Sequence, residues 1–206
     1  MSKTRDYKYV PLPKSFYEVT PVQLARKLIG TLLIRVIDNK PLVARIVEVE
    51  AYGGRDDPAS HAYRGMTGRN KVMFNSGGCS YVYFTYGMHY CFNVVAGKGK
   101  QAGAVLIRAA EPLEGIDQMK KHRNKEKLHD LLSGPAKLCQ AFLIDKSLNG
   151  ITLDKPPLLI TKESIRKSAP EIITTPRIGI KAGLNKKWRF IDAESTFLSA
   201  RRSPDI

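Results

Sequence analysis

The chain has 206 residues, of which 43% are hydrophobic and 26% charged, and this composition and length favour a single globular domain over residues 1–206. Its 34 Lys and Arg residues outnumber its 19 Asp and Glu residues, and the net charge of +15 predicts a polyanionic partner, either nucleic acid or an anionic membrane surface. The three cysteines form no CxxC pair, which argues against a disulfide framework or a zinc ribbon and indicates a reducing compartment.

The first third of the chain predicts a helix followed by a β-hairpin. Residues 1–16 show neither the apolar stretch nor the cleavage pattern of a secretory signal, so we expect the protein to stay inside the cell. Thr20 is followed by proline and fits a helix N-cap, and the helix should end at Gly30. The β-rich runs 31–37 and 42–51 flank turn-forming residues and predict paired strands.

A long loop and a second hairpin are expected next. Residues 53–78 are rich in Gly, Arg, Asn and Ser without a sustained period, and loops of that length are usually functional. The β-branched and aromatic runs 80–84 and 89–95 flank a short turn that contains Tyr86. The stretch 79–97 carries no charged residue, but its tyrosines, histidine, asparagine and glycines argue against a membrane helix.

The remaining elements complete a mixed α+β pattern. Residues 102–110 predict a strand that ends at Glu111-Pro112, and residues 113–145 are helical in pattern, with a basic, solvated segment before a helix opened by residues 133–135. Prolines interrupt the short β-like runs that follow, which predicts edge strands and turns. The sequence contains neither an internal repeat nor a low-complexity linker, so the predicted architecture is α+β in one domain.

Two carboxylates and one arginine stand out on the predicted strands. Strand alternation places Ile46, Glu48 and Glu50 on one face, where the two acids either form an exposed strand end or provide a general base. Arg108 is the one charged residue in an apolar strand. It either extends to solvent from the strand end or faces a buried anion.

Tyr86 differs from the other aromatic residues of its hairpin, most of which we expect in the core or in cross-strand pairs. A turn residue cannot reach the core, and in a strongly basic protein its ring suits stacking on, or wedging between, nucleic acid bases.

Ser133, Gly134 and Lys137 open a helix with free amides and a nearby lysine, which fits either a phosphate contact or plain helix capping. The run 97–102 matches GxGxxA, but a β-rich run follows instead of a helix, which argues against a dinucleotide site. The four histidines lack metal-ligand spacing, so we expect no metal site.

Taken together, six runs and one histidine resemble the alkyladenine, or 3-methyladenine, DNA glycosylase family. They are IVEVEAY (46–52), His61, RNKVMF (69–74), YVYFTYGMHYCFNV (81–94), GAVLIRAAEPLEG (103–115), SGPAKLCQA (133–141) and RIGIKAG (177–183). The match covers nearly the whole chain after about residue 15, and the chain is similar to a compact member without the long N-terminal extension of animal relatives. Two loops differ slightly in length from those relatives, which affects expected loop contacts with DNA more than the pocket.

The resemblance implies a curved antiparallel sheet with flanking helices and a hairpin that enters the DNA minor groove. It implies a monofunctional 3-methyladenine glycosylase of type II that excises 3-methyladenine, 7-methylguanine, hypoxanthine or ethenoadenine in base excision repair. No metal or cofactor is expected. The implied partner is double-stranded DNA with damaged purines, bound by a monomer without membrane association, in the bacterial cytoplasm at the nucleoid or in a eukaryotic nucleus. The alternative is a non-catalytic nucleic-acid-binding protein.

The resemblance also implies catalytic roles at three positions. Glu50 corresponds to the carboxylate that activates water, and Arg108 to the arginine that helps to hold that water. Ile178 lies where a main-chain carbonyl also contacts the water.

Five further positions correspond to residues that handle the base. Tyr52 on one side, with His61 and Tyr83 on the other, would enclose the extruded base. Asn93 would crowd the exocyclic amino group of guanine, and Tyr86 would fill the gap left in the duplex.

Overall fold

The computed structural model describes residues 9–163 and 169–200, and the described chain forms one curled, antiparallel sheet with helices packed on it. The strands are β1 (Leu32–Ile37), β2 (Lys40–Tyr52), β3 (Ser80–Thr85), β4 (His89–Val95), β5 (Ala104–Glu114), β6 (Asp154–Lys155), β7 (Leu158–Thr161), β8 (Ile172–Thr175) and β9 (Arg189–Asp192). The helices are α1 (Lys14–Tyr17), α2 (Pro21–Leu28), α3 (Ile116–Arg123), α4 (His129–Leu132) and α5 (Pro135–Ala141). The predicted α+β class is confirmed.

The sheet has one main path with a side branch. Neighbouring strands follow the order β3-β4-β5-β2-β1-β7-β6, and β9 pairs with β2 and with β8 off this path. Residues 1–8, part of the segment inspected for a secretory signal, lie outside the described residues. In the two described ranges, we find no helix with the length and apolar character needed to cross a bilayer.

Helix α2 begins where the sequence predicts. The Thr20 hydroxyl accepts a hydrogen bond from the amide of Gln23, and the Gln23 side chain accepts one from the amide of Thr20, so the predicted capping box is present. The helix ends at Leu28, and Gly30 takes a left-handed φ of 83°. Leu24 and Leu28 are fully buried, and the helix packs on β2.

Both predicted hairpins are confirmed. Asp38 and Asn39 join β1 to β2 with φ values of 48° and 61°, the left-handed conformation that tight hairpin turns require. Tyr86, Gly87 and Met88 join β3 to β4, and the first two have φ values of 52° and 69°. Tyr86 therefore lies at the tip of the second hairpin, where its side chain is 84% exposed.

The pairing of β2 with β5 is irregular at three places, one next to Val43 and two beyond Ile46. Ile46 pairs with Ala110 and Glu48 with Ala109, so β2 holds one extra residue between them. The next pair joins Val49 to Ile107, so β5 also holds one extra residue. Because the two extra residues compensate, the register is the same on both sides of the irregular stretch.

Because of the extra residue in β2, the residues of this strand that face the core change from even-numbered to odd-numbered positions. Ile46 belongs to the hydrophobic core, and so do Val49 and Ala51 beyond the extra residue. Glu48 and Glu50 alternate with Val49 and Ala51 and face the other side of the sheet. The prediction that Ile46 shares a face with both glutamates is therefore wrong, because an inserted residue breaks the alternation on which it rests.

One prediction about the later strands is also wrong, and a second is correct only in part. β5 continues through Pro112 to Glu114, because beyond Leu106 it pairs with β2 and no longer with β4, and proline is tolerated at such an edge. β6 and β8 are edge strands, as predicted, but β7 lies between β1 and β6, and β9 between β2 and β8, so these two are not. Pro157 precedes β7 and Pro176 follows β8, so these prolines lie in the connections.

The helices after β5 cover one face of the sheet. The basic helix α3 buries Met119 and leaves most of its other side chains exposed or half-buried, as the prediction of a solvated segment requires. Helix α5 opens at Pro135 and buries Leu138, and Phe142 at its end is buried as well. Cys79, Cys91 and Cys139 are free thiols.

Candidate active site

Glu50 is completely buried on β2, and its carboxylate accepts three hydrogen bonds. The amide of Ile178 donates to Oε1 at 2.7 Å, and Oε2 accepts from the Tyr52 hydroxyl at 2.8 Å and from Nη1 of Arg108 at 3.2 Å. These donors offset the cost of burying a carboxylate. The resemblance implies a role for the carbonyl of Ile178, whereas the contact seen here is made by its amide.

Arg108 faces two buried anions. Its Nε donates to Oε1 of Glu48 at 2.9 Å, and its Nη1 donates to Glu50. Burial by itself lowers the pKa of Arg108, but the charges of Glu50 and Glu48 outweigh it and raise this pKa above its usual value. Of the two interpretations of Arg108, the buried-anion one is confirmed.

Glu48 anchors this network, and both of its carboxylate oxygens are occupied. Oε1 also accepts from Nε of Arg189 at 2.8 Å and from the Ser199 hydroxyl at 2.7 Å, and Oε2 accepts from the Ser199 amide at 2.6 Å. Burial raises the pKa of Glu48, but hydrogen bonds from Arg189 and Ser199 and the charges of Arg189 and Arg108 bring it below its usual value. Arg189 and Ser199 are not among the predicted site residues, although Arg189 stands between the apolar residues Trp188 and Phe190.

A cavity of about 190 Å³ opens beside the network. Its walls include Tyr52 from β2, His61 from the long loop, Tyr83 from β3, Asn93 from β4 and Tyr86 from the hairpin tip. Pockets for drug-sized ligands usually start at roughly 300 Å³, so this one suits a single fused ring system. The structure thus brings five of the predicted site residues together around one space.

His61 is fixed by its neighbours at the mouth of this pocket. Its Nδ1 shares a hydrogen bond with the Tyr81 hydroxyl at 2.9 Å, and its ring meets that of Tyr83 edge-on at 4.6 Å between centroids. The buried Asn70 side chain donates to the carbonyl of His61 at 2.7 Å. Partial burial and the positive charge of Arg69 lower the pKa of His61, which favours the neutral imidazole.

The ring of Tyr52 forms another part of the pocket wall. Burial and the charge of Glu50 raise the pKa of the Tyr52 hydroxyl, which therefore stays protonated and donates to that carboxylate. The guanidinium of Arg177 lies 4.8 Å from the centroid of the Tyr52 ring and 5.3 Å from that of Trp188. It also donates two hydrogen bonds of 2.7 Å to Asp57. Neither Asp57 nor Arg177 is among the predicted site residues, because the pair joins positions 120 residues apart.

Asn93 lies on β4 with 3% of its surface exposed. Its Nδ2 donates to the carbonyl of Tyr81 on the neighbouring strand at 3.0 Å, which fixes the plane of the amide. One N–H of the amide is engaged with the strand in this way, and the second N–H and Oδ1 are the groups left to contact a ligand in the pocket.

The predicted phosphate contact lies on a different part of the fold. Ser133, Gly134 and Lys137 are close together at the start of α5, where the Lys137 ammonium donates to the Ser133 hydroxyl at 3.1 Å. None of the three lines the 190 Å³ cavity, and their contact with phosphate stays a prediction. Across residues 9–163 and 169–200, no three His, Cys, Asp or Glu side chains are grouped so that they could hold a metal ion.

The sequence matches one known protein family and is similar to several individual proteins. The family described as methylpurine-DNA glycosylase matches residues 15–196. A protein of Carboxydothermus hydrogenoformans is 46% identical over 92% of this chain and 99% of its own length. A protein of Francisella tularensis is 46% identical over 87% of this chain and 94% of its own length. A protein of Methanocella arvoryzae is 42% identical over 95% of this chain and 98% of its own length. All three carry the name "Putative 3-methyladenine DNA glycosylase".

Proposed function

The chain belongs to the methylpurine-DNA glycosylase family, and on that premise we propose that it is a monofunctional DNA glycosylase for damaged purines. Its proposed substrates are 3-methyladenine, 7-methylguanine, hypoxanthine and ethenoadenine in double-stranded DNA, which it binds as a monomer. The observation that carries this proposal is the buried Glu50, held by Arg108, next to an aromatic pocket of the size of one base. The net charge of +15 favours binding to the phosphate backbone.

The first proposed step is extrusion of the damaged base. A purine inside a duplex cannot reach a buried carboxylate, so the enzyme has to flip the nucleotide out of the stack. Stacking of the base between Tyr52 on one side and His61 with Tyr83 on the other offsets part of the cost of unstacking. The neutral state of His61 avoids a charge repulsion with cationic alkylated purines.

The second proposed step is hydrolysis of the N-glycosidic bond. As this bond breaks, the base leaves with the bonding electron pair and the sugar gains oxocarbenium character. Glu50 stabilises that positive charge and takes the proton of a water molecule whose oxygen bonds to the sugar carbon. Arg108 stays cationic and orients the carboxylate, and the product is an intact strand with an abasic site.

Two alternative functions fit the residues less well. A lyase-type glycosylase needs a nucleophilic amine in the pocket, and no lysine lines the cavity formed by the described residues. A non-catalytic nucleic-acid-binding protein leaves the buried network of Glu48, Glu50 and Arg108 without a use.

A duplex with a single hypoxanthine opposite thymine tests the proposed function. We expect release of free hypoxanthine, the same rate in the presence of EDTA, and no covalent adduct after borohydride treatment. An adduct trapped by borohydride would indicate a lysine nucleophile, and inhibition by the chelator would indicate a metal. Tight binding without release of base would favour the non-catalytic alternative.

Shortening Asn93 to serine is expected to change which purines are accepted. Asn93 is buried and held by the carbonyl of Tyr81, and in the proposed complex its side chain would crowd the exocyclic amino group of guanine, which hypoxanthine lacks. Asn93→Ser should therefore raise the excision of 7-methylguanine, and of undamaged guanine, relative to hypoxanthine. The ratio of the two rates in one preparation is its own control, and an unchanged ratio would assign Asn93 to the structure of the hairpin.

Removing the exposed ring of Tyr86 is expected to weaken the extruded state. Tyr86→Ala should cost about 1 to 3 kcal/mol, the contribution of one aromatic ring stacked on a base. This corresponds to roughly a 5- to 150-fold slower excision of hypoxanthine paired with thymine. In single-stranded DNA the loss should be small, because little unstacking is needed there. Equal slowing in both contexts, or in neither, would show that Tyr86 is not a wedge.

A further inference from the structure

The last described segment of the chain reaches the candidate active site through Ser199. Its amide and hydroxyl both donate to the carboxylate of Glu48, 151 positions earlier in the sequence, at 2.6 Å and 2.7 Å. The same hydroxyl oxygen accepts from Arg108, at 3.3 Å from Nε and 3.2 Å from Nη2. Nη2 of Arg189 donates to the carbonyl of Ala200 at 3.4 Å and holds the adjoining residue.

These contacts occupy one edge of the Arg108 guanidinium. A guanidinium is planar, and its Nε and Nη2 form an edge that pairs with a carboxylate through two parallel hydrogen bonds. Glu48 and Ser199 take up that edge, so Glu50 receives a single hydrogen bond from Nη1, at 3.2 Å. Without these acceptors, Arg108 would be free to turn its edge to Glu50.

A two-bond pair between Arg108 and Glu50 would oppose catalysis. It would engage the carboxylate more strongly and stabilise its ionised form, so that proton uptake from water would cost more. It would also move Arg108 away from the place where it orients the reacting groups. The orientation of the Arg108 guanidinium therefore matters for catalysis as much as its charge does.

We propose that Ser199 is a positioning residue for base excision: with Glu48, it holds Arg108 in the orientation that leaves Glu50 able to accept the proton of water. This inference rests on the proposed function of the site. It assigns part of the active-site geometry to a segment that lies at the far end of the sequence from the carboxylates.

Three variants test the role of the hydroxyl: Ser199→Ala, Ser199→Thr and Ser195→Ala. The last is the matched control, because the Ser195 hydroxyl accepts from the amide of Phe197 within its own turn and contacts neither Glu48 nor Arg108. Single-turnover release of hypoxanthine from a duplex, measured over a range of protein concentrations, gives the maximal rate and the half-saturating concentration separately.

We expect Ser199→Ala to lower the maximal rate about tenfold, because a small misplacement of a reacting group is enough for such a loss. Its half-saturating concentration should not change. Ser199→Thr keeps the hydroxyl and should restore most of the rate, and Ser195→Ala should behave like the unaltered protein.

Four results would overturn the inference. They are an unaltered rate in Ser199→Ala, equal slowing in Ser199→Ala and Ser199→Thr, equal slowing in Ser195→Ala, and loss of the cooperative thermal unfolding of Ser199→Ala. A different result concerns the proposed function: if the unaltered protein releases no base from any lesion, that function is wrong, and the inference is wrong with it.

Discussion

Glu50→Gln is expected to lower the maximal rate of base excision by at least about 100-fold, the usual contribution of a general base. Glutamine keeps the shape of the side chain and can still accept a hydrogen bond from the amide of Ile178. It cannot take a proton from water, and it carries no negative charge to stabilise the developing oxocarbenium. Because the aromatic walls are unchanged, binding to DNA that contains a lesion should persist.

Single-turnover release of hypoxanthine and a binding titration with the same duplex separate these effects. Glu111→Gln on the neighbouring strand β5 is the matched control, since it removes the same charge from a half-exposed pair with Arg45 outside the site. It should excise at the normal rate. Normal excision by Glu50→Gln would place the base elsewhere. Glu48 would be a poor replacement, because two arginines and Ser199 donate to it and hold its pKa below the usual value.

Asp57→Asn is expected to lower the free energy of unfolding at pH 7 by about 3 to 5 kcal/mol, the usual cost of removing one partner of a buried ion pair. Both side chains of the Asp57–Arg177 pair are completely buried, and two hydrogen bonds of 2.7 Å join them. The variant leaves the guanidinium of Arg177 buried without its counter-charge behind the ring of Tyr52. Asp56→Asn is the matched control: Asp56 is exposed and lies 3.7 Å from Lys186, so its loss should change stability by under about 1 kcal/mol.

The loss of unfolding free energy caused by Asp57→Asn should become smaller as the pH falls. Burial raises the pKa of Asp57, but hydrogen bonds from Arg177 and the Gly53 amide, with the charge of Arg177, bring it below its usual value. The folded state thus favours the ionised form, so this stabilisation is present above about pH 4 and is lost as the pH falls through the lower folded value. Urea unfolding at pH 7 and below pH 4 should show that the difference in unfolding free energy between the unaltered protein and Asp57→Asn is smaller in acid. A difference that widened in acid would contradict this account.

Elements defined by local chemistry could be predicted from the sequence. The capping box of Thr20 and Gln23 involves residues three positions apart, and the turns at Asp38-Asn39 and Tyr86-Gly87 depend on adjacent residues. Such signals are complete within a short window of sequence. The faces of the β2 strand were not predictable in the same way, because the extra residue in β2 becomes visible only when its partner strand is known.

The candidate site was predictable in parts. Residue patterns singled out Glu50, Arg108 and Tyr86 but left the role of the first two open. The placement of Tyr52 and Asn93 at one pocket followed from the family resemblance, since patterns alone assign such side chains to packing. The partners that hold the charged groups were missed for a physical reason. Each pair joins residues more than 100 positions apart, as in the contacts of Glu48 with Ser199 and of Asp57 with Arg177.

The paired irregularities of β2 and β5 restrict how the length of these strands can change. Deleting Val47 alone would give β2 a regular alternation, but it would leave the extra residue of β5 unmatched and shift the pairing on one side by one position. Every side chain in the shifted half would then turn to the opposite face, and the carboxylates would leave Arg108. Insertions and deletions here should therefore be tolerated only in pairs, one in each strand.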